Sequence, residues 1–143
     1  MQMMSSTLKD TRDEHAIQSA FMAWWAQQTY PGLLFAVPNG GSRSGRAGAM
    51  LKAEGVLRGV PDLFYAYPCH DRHGLFIEFK RAHPKGYLSA EQKDVIPRLE
   101  ADGYQVAVVY SGHGAKKAIE HYLKGAHFGP ALEDLGQWEN KTK

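Results

Sequence analysis

The chain has a single cysteine, Cys69, so no intrachain disulfide is available to it. Small secreted scaffolds that rely on disulfides are thereby excluded, and a reducing cytosolic compartment is expected. No segment approaches the ~20 consecutive apolar residues of a membrane-spanning helix. The N-terminal MQMMSSTLKD has no apolar run of the signal-peptide kind. No internal repeat and no long low-complexity tract interrupts the sequence. A net charge of +2 is too small to argue for a polyanion-binding surface on its own. What remains is 143 residues, 43% apolar and 22% charged, the profile of one ordinary globular domain. Such a chain buries about two-thirds of its unfolded surface and needs no metal to fold.

Periodicity orders the chain. Residues 11–28, TRDEHAIQSAFMAWWAQQ, carry Ile17, Phe21 and Trp24 at helical spacing, with Ala20 filling in. Thr11 and Glu14 fit a capping box at the helix start, and residues 1–10 read as a frayed leader. LLFAV (33–37) is a strand that stops at Pro38. A glycine-rich loop, NGGSRSGRAG, leads into a short helix around GAMLKAEGV. PDLFYAYP (61–68) and GLFIEFK (74–80) read as two strands joined through CHDRHG, an antiparallel hairpin. SAEQKDVIPRLEADG forms a helix capped by Ser89, with Pro97 as a kink or boundary. YQVAVVY (104–110) is nearly all apolar, as a central strand would be. GAKKAIEHYLKG closes the fold as a helix. The predicted order is αβββαβα, with a core of about 11–124 and a loosely attached tail, 125–143.

One charge pattern is out of place. In GLFIEFK, Leu75, Ile77 and Phe79 share one face of a strand, and Phe76, Glu78 and Lys80 share the other. On a solvated edge, Glu78 and Lys80 would form a surface ion pair contributing about 0–1 kcal/mol. Asp62 precedes Glu78 by 16 residues, on the neighbouring strand of the hairpin. A suitable register brings the two carboxylates together on one face. Two such groups repel unless a proton or a cation lies between them. A hard divalent ion resolves the conflict, and Mg²⁺ takes one or two carboxylates together with water and phosphate oxygens. Lys80 then supplies positive charge for a phosphate in its transition state.

These residues resemble a known pattern. GVLRGVPDLFYAYP followed by LFIEFKRAHPKGYLSAEQ is similar to the PD-(D/E)XK nuclease superfamily, and within it to the VRR-NUC domain. Pro61-Asp62 matches the first motif and Glu78-Phe79-Lys80 the second. Gly59, Leu88, Ser89 and Gln92 match the flanks, and the resemblance spans about Glu14 to Tyr110. It implies a restriction-endonuclease-like α/β core with a mixed sheet flanked by helices. It implies Mg²⁺ or Mn²⁺ held by Asp62, Glu78 and the Phe79 backbone carbonyl, with Lys80 as the catalytic lysine. The stand-alone phage and prophage members look like minimal homodimeric nucleases similar to Holliday junction resolvases. The expected activity is therefore metal-dependent hydrolysis of DNA, structure-selective on branched substrates. A flap or nicking nuclease, a non-catalytic DNA-binding protein on the same fold, and a structural subunit of a phage complex are the rivals.

Two further residues each admit two readings. Glu14 continues the apolar stripe of the first helix, so it either approaches the metal site or closes the capping box. Gln92 either joins the active site or caps its own helix through Ser89-x-x-Gln92. For DNA contact, the loop offers Asn39, Arg43 and Arg46, and Arg58 follows it; this stretch is rich in cations. Cys69, His70 and His73 lack a fourth ligand cluster for zinc and read as a polar hairpin tip.

Overall fold

The computed structural model describes residues 2–38, 45–126, 129–135 and 137–140. The predicted DNA contacts Asn39 and Arg43 lie outside them. Helix α1 (Gln2–Trp25) is followed by β1 (Leu34–Ala36), α2 (Gly45–Ala53), β2 (Leu63–Tyr65) and β3 (Leu75–Phe79). Then come α3 (Ala90–Ala101), β4 (Gln105–Val109), α4 (Gly112–Leu123) and α5 (Gln137–Asn140). The expected α/β order holds, with the short helix expected after the glycine-rich loop present as α2, and α5 added in the tail. The four strands form one mixed sheet in the order β1-β2-β3-β4. The β1–β2 and β2–β3 pairs are antiparallel, and β3–β4 is parallel.

Alternation along β2 and β3 splits the core into two. Leu63, Tyr65, Leu75, Ile77 and Phe79 face α1 and α4, where Phe21, Ala115, Ala118, Ile119 and Tyr122 complete one cluster. Phe76 faces the other side with Leu88, Ile96, Val106, Val108 and Tyr110. Apolar side chains on both faces make β3 a fully buried strand, apart from one intruder at Glu78.

Four expectations on elements change. Helix α1 begins at Gln2, not at Thr11. No glycine or proline lies between Gln2 and Thr11 to stop the helix. Strand β4 is not central: it ends the strand order, and its burial comes from α3 and α4 on its two faces. Pro97 does not bound α3, since the helix runs on to Ala101. The proline ring leaves the Lys93 carbonyl without its helical donor, and Lys93 and Pro97 are both exposed.

The tail is the fourth correction. Trp138 is only 2% exposed and sits in the first core cluster, its ring edge-on to His121. Glu139 accepts the Tyr110 amide at 2.8 Å and the Ser111 hydroxyl, at the N-terminus of α4. Ala131 is buried in the second cluster, and its amide donates to Glu100 Oε2 at 2.8 Å. A carboxylate at a helix N-terminus meets unpaired amides and the positive end of the dipole. The segment is thus fastened at both of its described parts.

Candidate active site

The hairpin register pairs Leu63 with Ile77 and Phe64 with Phe76. Continued by one residue, it sets Asp62 opposite Glu78, as the strand pattern predicts. Asp62 Oδ2 accepts the Phe79 amide at 2.8 Å, which ties the end of β2 to β3. In an extended strand the N–H and C=O of one residue point the same way. The Phe79 carbonyl is therefore turned toward Asp62 as well.

Glu78 is 2% exposed. Its Oε2 accepts the Gln92 amide at 2.8 Å and lies 3.4 Å from Lys80 Nζ. Its Oε1 is buried with no hydrogen-bond partner. Burial, then the neighbouring Asp62 charge, pushes the Glu78 carboxyl up to about 8, against the pull of Lys80 and Gln92. Burial also raises Asp62, opposed by the Phe79 amide and by Lys80. With both acids raised, the pair retains a proton at neutral pH when no cation is bound. This is a buried ion cluster, not the solvated surface pair that E-x-K alone would suggest.

Gln92 makes both the cap contacts and a contact with Glu78. Its backbone amide donates to Ser89 Oγ at 3.1 Å and its Oε1 accepts the Ser89 amide at 2.9 Å, a complete capping box. Its Nε2 is left over for Glu78. A side-chain amide has two ends, and here the cap fixes one while the other reaches the site. Gly59 is what lets the chain before Asp62 approach this turn. Its φ is +99°, and an added Cβ would lie 2.5 Å from the Glu91 carbonyl oxygen.

Glu14 sits inside α1, so the capping box with Thr11 does not form. Its Oε2 accepts the Arg81 amide at 3.4 Å, and its charge is among those raising Asp62. The helix thus delivers a third carboxylate to the rim of the pair. Arg46 lies exposed in the first turn of α2. Arg58 lines a groove of about 710 Å³ between α2 and α3, with Lys52, Asp94 and Arg98.

Cys69 pairs with Arg72 in an isolated bridge, and His70 Nε2 donates to the Leu123 carbonyl at 3.2 Å. No cluster of three or more His, Cys, Asp or Glu among the described residues is set to hold a metal. For a hard divalent ion, the fit rests instead on two carboxylates and the carbonyl turned toward them. The unpartnered Glu78 Oε1 is the observation that favours it: a buried oxygen without a donor is costly, and a cation beside it would remove that cost.

Sequence reasoning missed the loop that closes this site. Gly86 lies alongside the Lys80 stem, where an added Cβ would be 3.5 Å from Lys80 Cβ, and the Tyr110 hydroxyl donates to its carbonyl at 3.5 Å. The two residues are 24 apart, and nothing local signals the contact.

Comparison with known proteins is consistent with this geometry. A family model for the VRR-NUC domain matches residues 4–113. A solved structure of a VRR_NUC domain protein is similar, with a TM-score of 0.65 and 27% identity; the match covers 82% of this chain and 93% of that one. No curated protein matches.

Proposed function

The chain belongs to the VRR-NUC domain family, and we propose that it is a metal-dependent DNA endonuclease acting on branched or otherwise structured DNA. The observation that carries the proposal is the buried Asp62–Glu78 pair beside Lys80, with Glu78 Oε1 left unpartnered. A plain binding module has no use for two acids clustered where a phosphate must approach. Repulsion and desolvation make such a pair costly to keep.

Asp62, Glu78 and the Phe79 carbonyl would hold Mg²⁺ or Mn²⁺, which when bound supplies Lewis-acid polarisation of the phosphate and a nucleophile at neutral pH. The chain's own residues do the rest. Gln92 Nε2, anchored by the Ser89 cap, orients the Glu78 carboxylate. The Phe79 amide orients Asp62 in the same way. Lys80, on the strand end beside them, offers its ammonium to the charge that develops on the phosphate oxygens. Glu14, at the rim, is placed to orient a water or a further ion. Arg46 and Arg58, with Arg43, would meet the flanking phosphates, and replacing them would flatten the salt dependence of binding.

One such site cuts one strand. Symmetric cleavage of a junction requires two, which a twofold homodimer supplies. The test is a cleavage panel of linear duplex, single strand, flap and four-way junction with Mg²⁺, Mn²⁺ or EDTA, paired with sedimentation. Metal-dependent cleavage with junctions preferred, by a dimer, is expected. Cleavage unaffected by EDTA would sink the metal proposal. A monomer without preference for four-way junctions would leave a flap or nicking nuclease.

A further inference from the structure

The loop from Arg81 to Leu88 joins the end of β3 to α3 and borders the carboxylate pair. It is tied in place at several points. The Gly86 amide donates to the Arg81 carbonyl at 2.9 Å, and Arg81 Nε donates to the Pro84 carbonyl at 3.0 Å. Tyr110, just past β4, and Glu14, on α1, reach it. A Cβ placed on Gly86 would lie 3.5 Å from Lys80 Cβ, so this loop runs alongside the stem of the lysine. Gly86 and Leu88 are both buried. Tyr87 stands between them and is turned outward, 70% exposed. A single exposed apolar residue is ordinary on a protein surface. An aromatic ring held out by two buried neighbours on a pinned loop, one residue from the glycine beside Lys80, is not explained by packing.

Residues 81–88 carry the cations Arg81 and Lys85 and no acid, while the Glu14 carboxylate reaches the loop at the Arg81 amide. Lys85 Nζ lies 5.9 Å from the centre of the Tyr87 ring and 5.4 Å from that of Tyr110. A ring beside an ammonium group is the combination that single-stranded nucleic acid requires: a face for the base and a charge for its phosphate. Within a duplex both faces of a base are already covered by its neighbours. A stack on Tyr87 is therefore open only to a base that has left the helix, at a branch, flap or frayed end.

We propose that Tyr87 is a stacking platform for an unpaired base adjacent to the scissile phosphate, and that Lys85 engages the phosphate of that nucleotide. The inference rests on the nuclease reading and narrows its substrate to DNA with an unpaired nucleotide at the cutting point. The discrimination comes from the ring; the carboxylates cut whatever phosphate it presents.

The test uses the full chain in Ca²⁺, which supports binding without turnover, and oligonucleotides carrying 2-aminopurine at successive positions in a flap and in a matched, fully paired duplex. Wild type should quench 2-aminopurine at one unpaired position. Tyr87→Ala should abolish that quenching and weaken flap binding about 5- to 150-fold, the range a lost base–aromatic stack represents. Duplex binding should be unchanged, and Tyr87→Phe and Tyr87→Trp should keep both quenching and affinity. Equal losses on flap and duplex, no quenching at any position, or a Tyr87→Phe variant as weak as Tyr87→Ala would overturn the platform while leaving the nuclease standing. A wild-type protein that binds and cuts no DNA in Mg²⁺ would overturn the nuclease reading and the platform with it.

Discussion

Replacing Glu78 by glutamine should make the metal-free protein more stable, and increasingly so as pH rises. The reason is the cost of the buried carboxylate. Burial and Asp62 raise Glu78 from the ordinary 4.5 to about 8. Below pH 4.5 the group is protonated folded and unfolded, and it costs nothing. Between 4.5 and 8 the unfolded chain releases the proton while the folded chain retains it, so stability falls by about 1.4 kcal/mol per pH unit. Above 8 both states are ionised and the loss levels off. From pH 6 to pH 9 the wild type should therefore lose about 3 kcal/mol that Glu78→Gln does not. Glutamine keeps an oxygen for Gln92 Nε2 and turns an amide toward Asp62, so no new buried group is orphaned. For a chain of this size that is a gap in Tm widening by about 8 °C. The assay is a pair of melting curves in EDTA at each pH. Millimolar Mg²⁺ should then raise the wild-type Tm most at pH 9, since the ligand must be ionised to bind. It should do little to Glu78→Gln. A Tm difference constant from pH 6 to pH 9, or an equal Mg²⁺ response in both proteins, would refute the reasoning.

Three other outcomes follow from the same geometry. Lys80→Ala should lower the cleavage rate about 10²- to 10³-fold in a folded protein, the usual effect of losing one charge-stabilising donor, checked by single-turnover kinetics. Gly59→Ala should cost on the order of 2–3 kcal/mol, combining a positive φ with a clash against the Glu91 carbonyl; urea unfolding reads this directly, and a change below about 0.5 kcal/mol would show that the turn yields freely. Trp138→Ala should cost about 3–5 kcal/mol, as for a large aromatic removed from a core, whereas an effect near zero would restore the picture of a loose tail.

Much of the site can be read in the sequence because it rests on local rules. Side chains alternate along any strand, so Glu78 and Lys80 had to share a face. One hairpin joins β2 to β3, and its register sets Asp62 against Glu78. The helix cap at Ser89 likewise depends on residues three apart. The strand-to-helix order of the core follows from the same periods.

What the sequence leaves open depends on contacts between residues far apart in the chain. Whether Glu78 and Lys80 form a surface pair or a buried cluster is decided by α3 covering that face of the sheet. Glu14 becomes a neighbour of the site only because α1 lies across the sheet and brings it to the Arg81 amide, 67 residues away. Gln92 serves both cap and carboxylate, since tertiary packing points its free amide end at Glu78. Strand β4 is apolar because two helices sandwich it, and position in the sheet cannot be inferred from that burial. The tail carries no periodic signal, yet Trp138 and Glu139 fasten it to the α1–α4 core and to the start of α4. A single ring and a single carboxylate suffice there, because a buried cavity and an open helix end each await one partner, and no pattern in the sequence announces a partner that need occur only once.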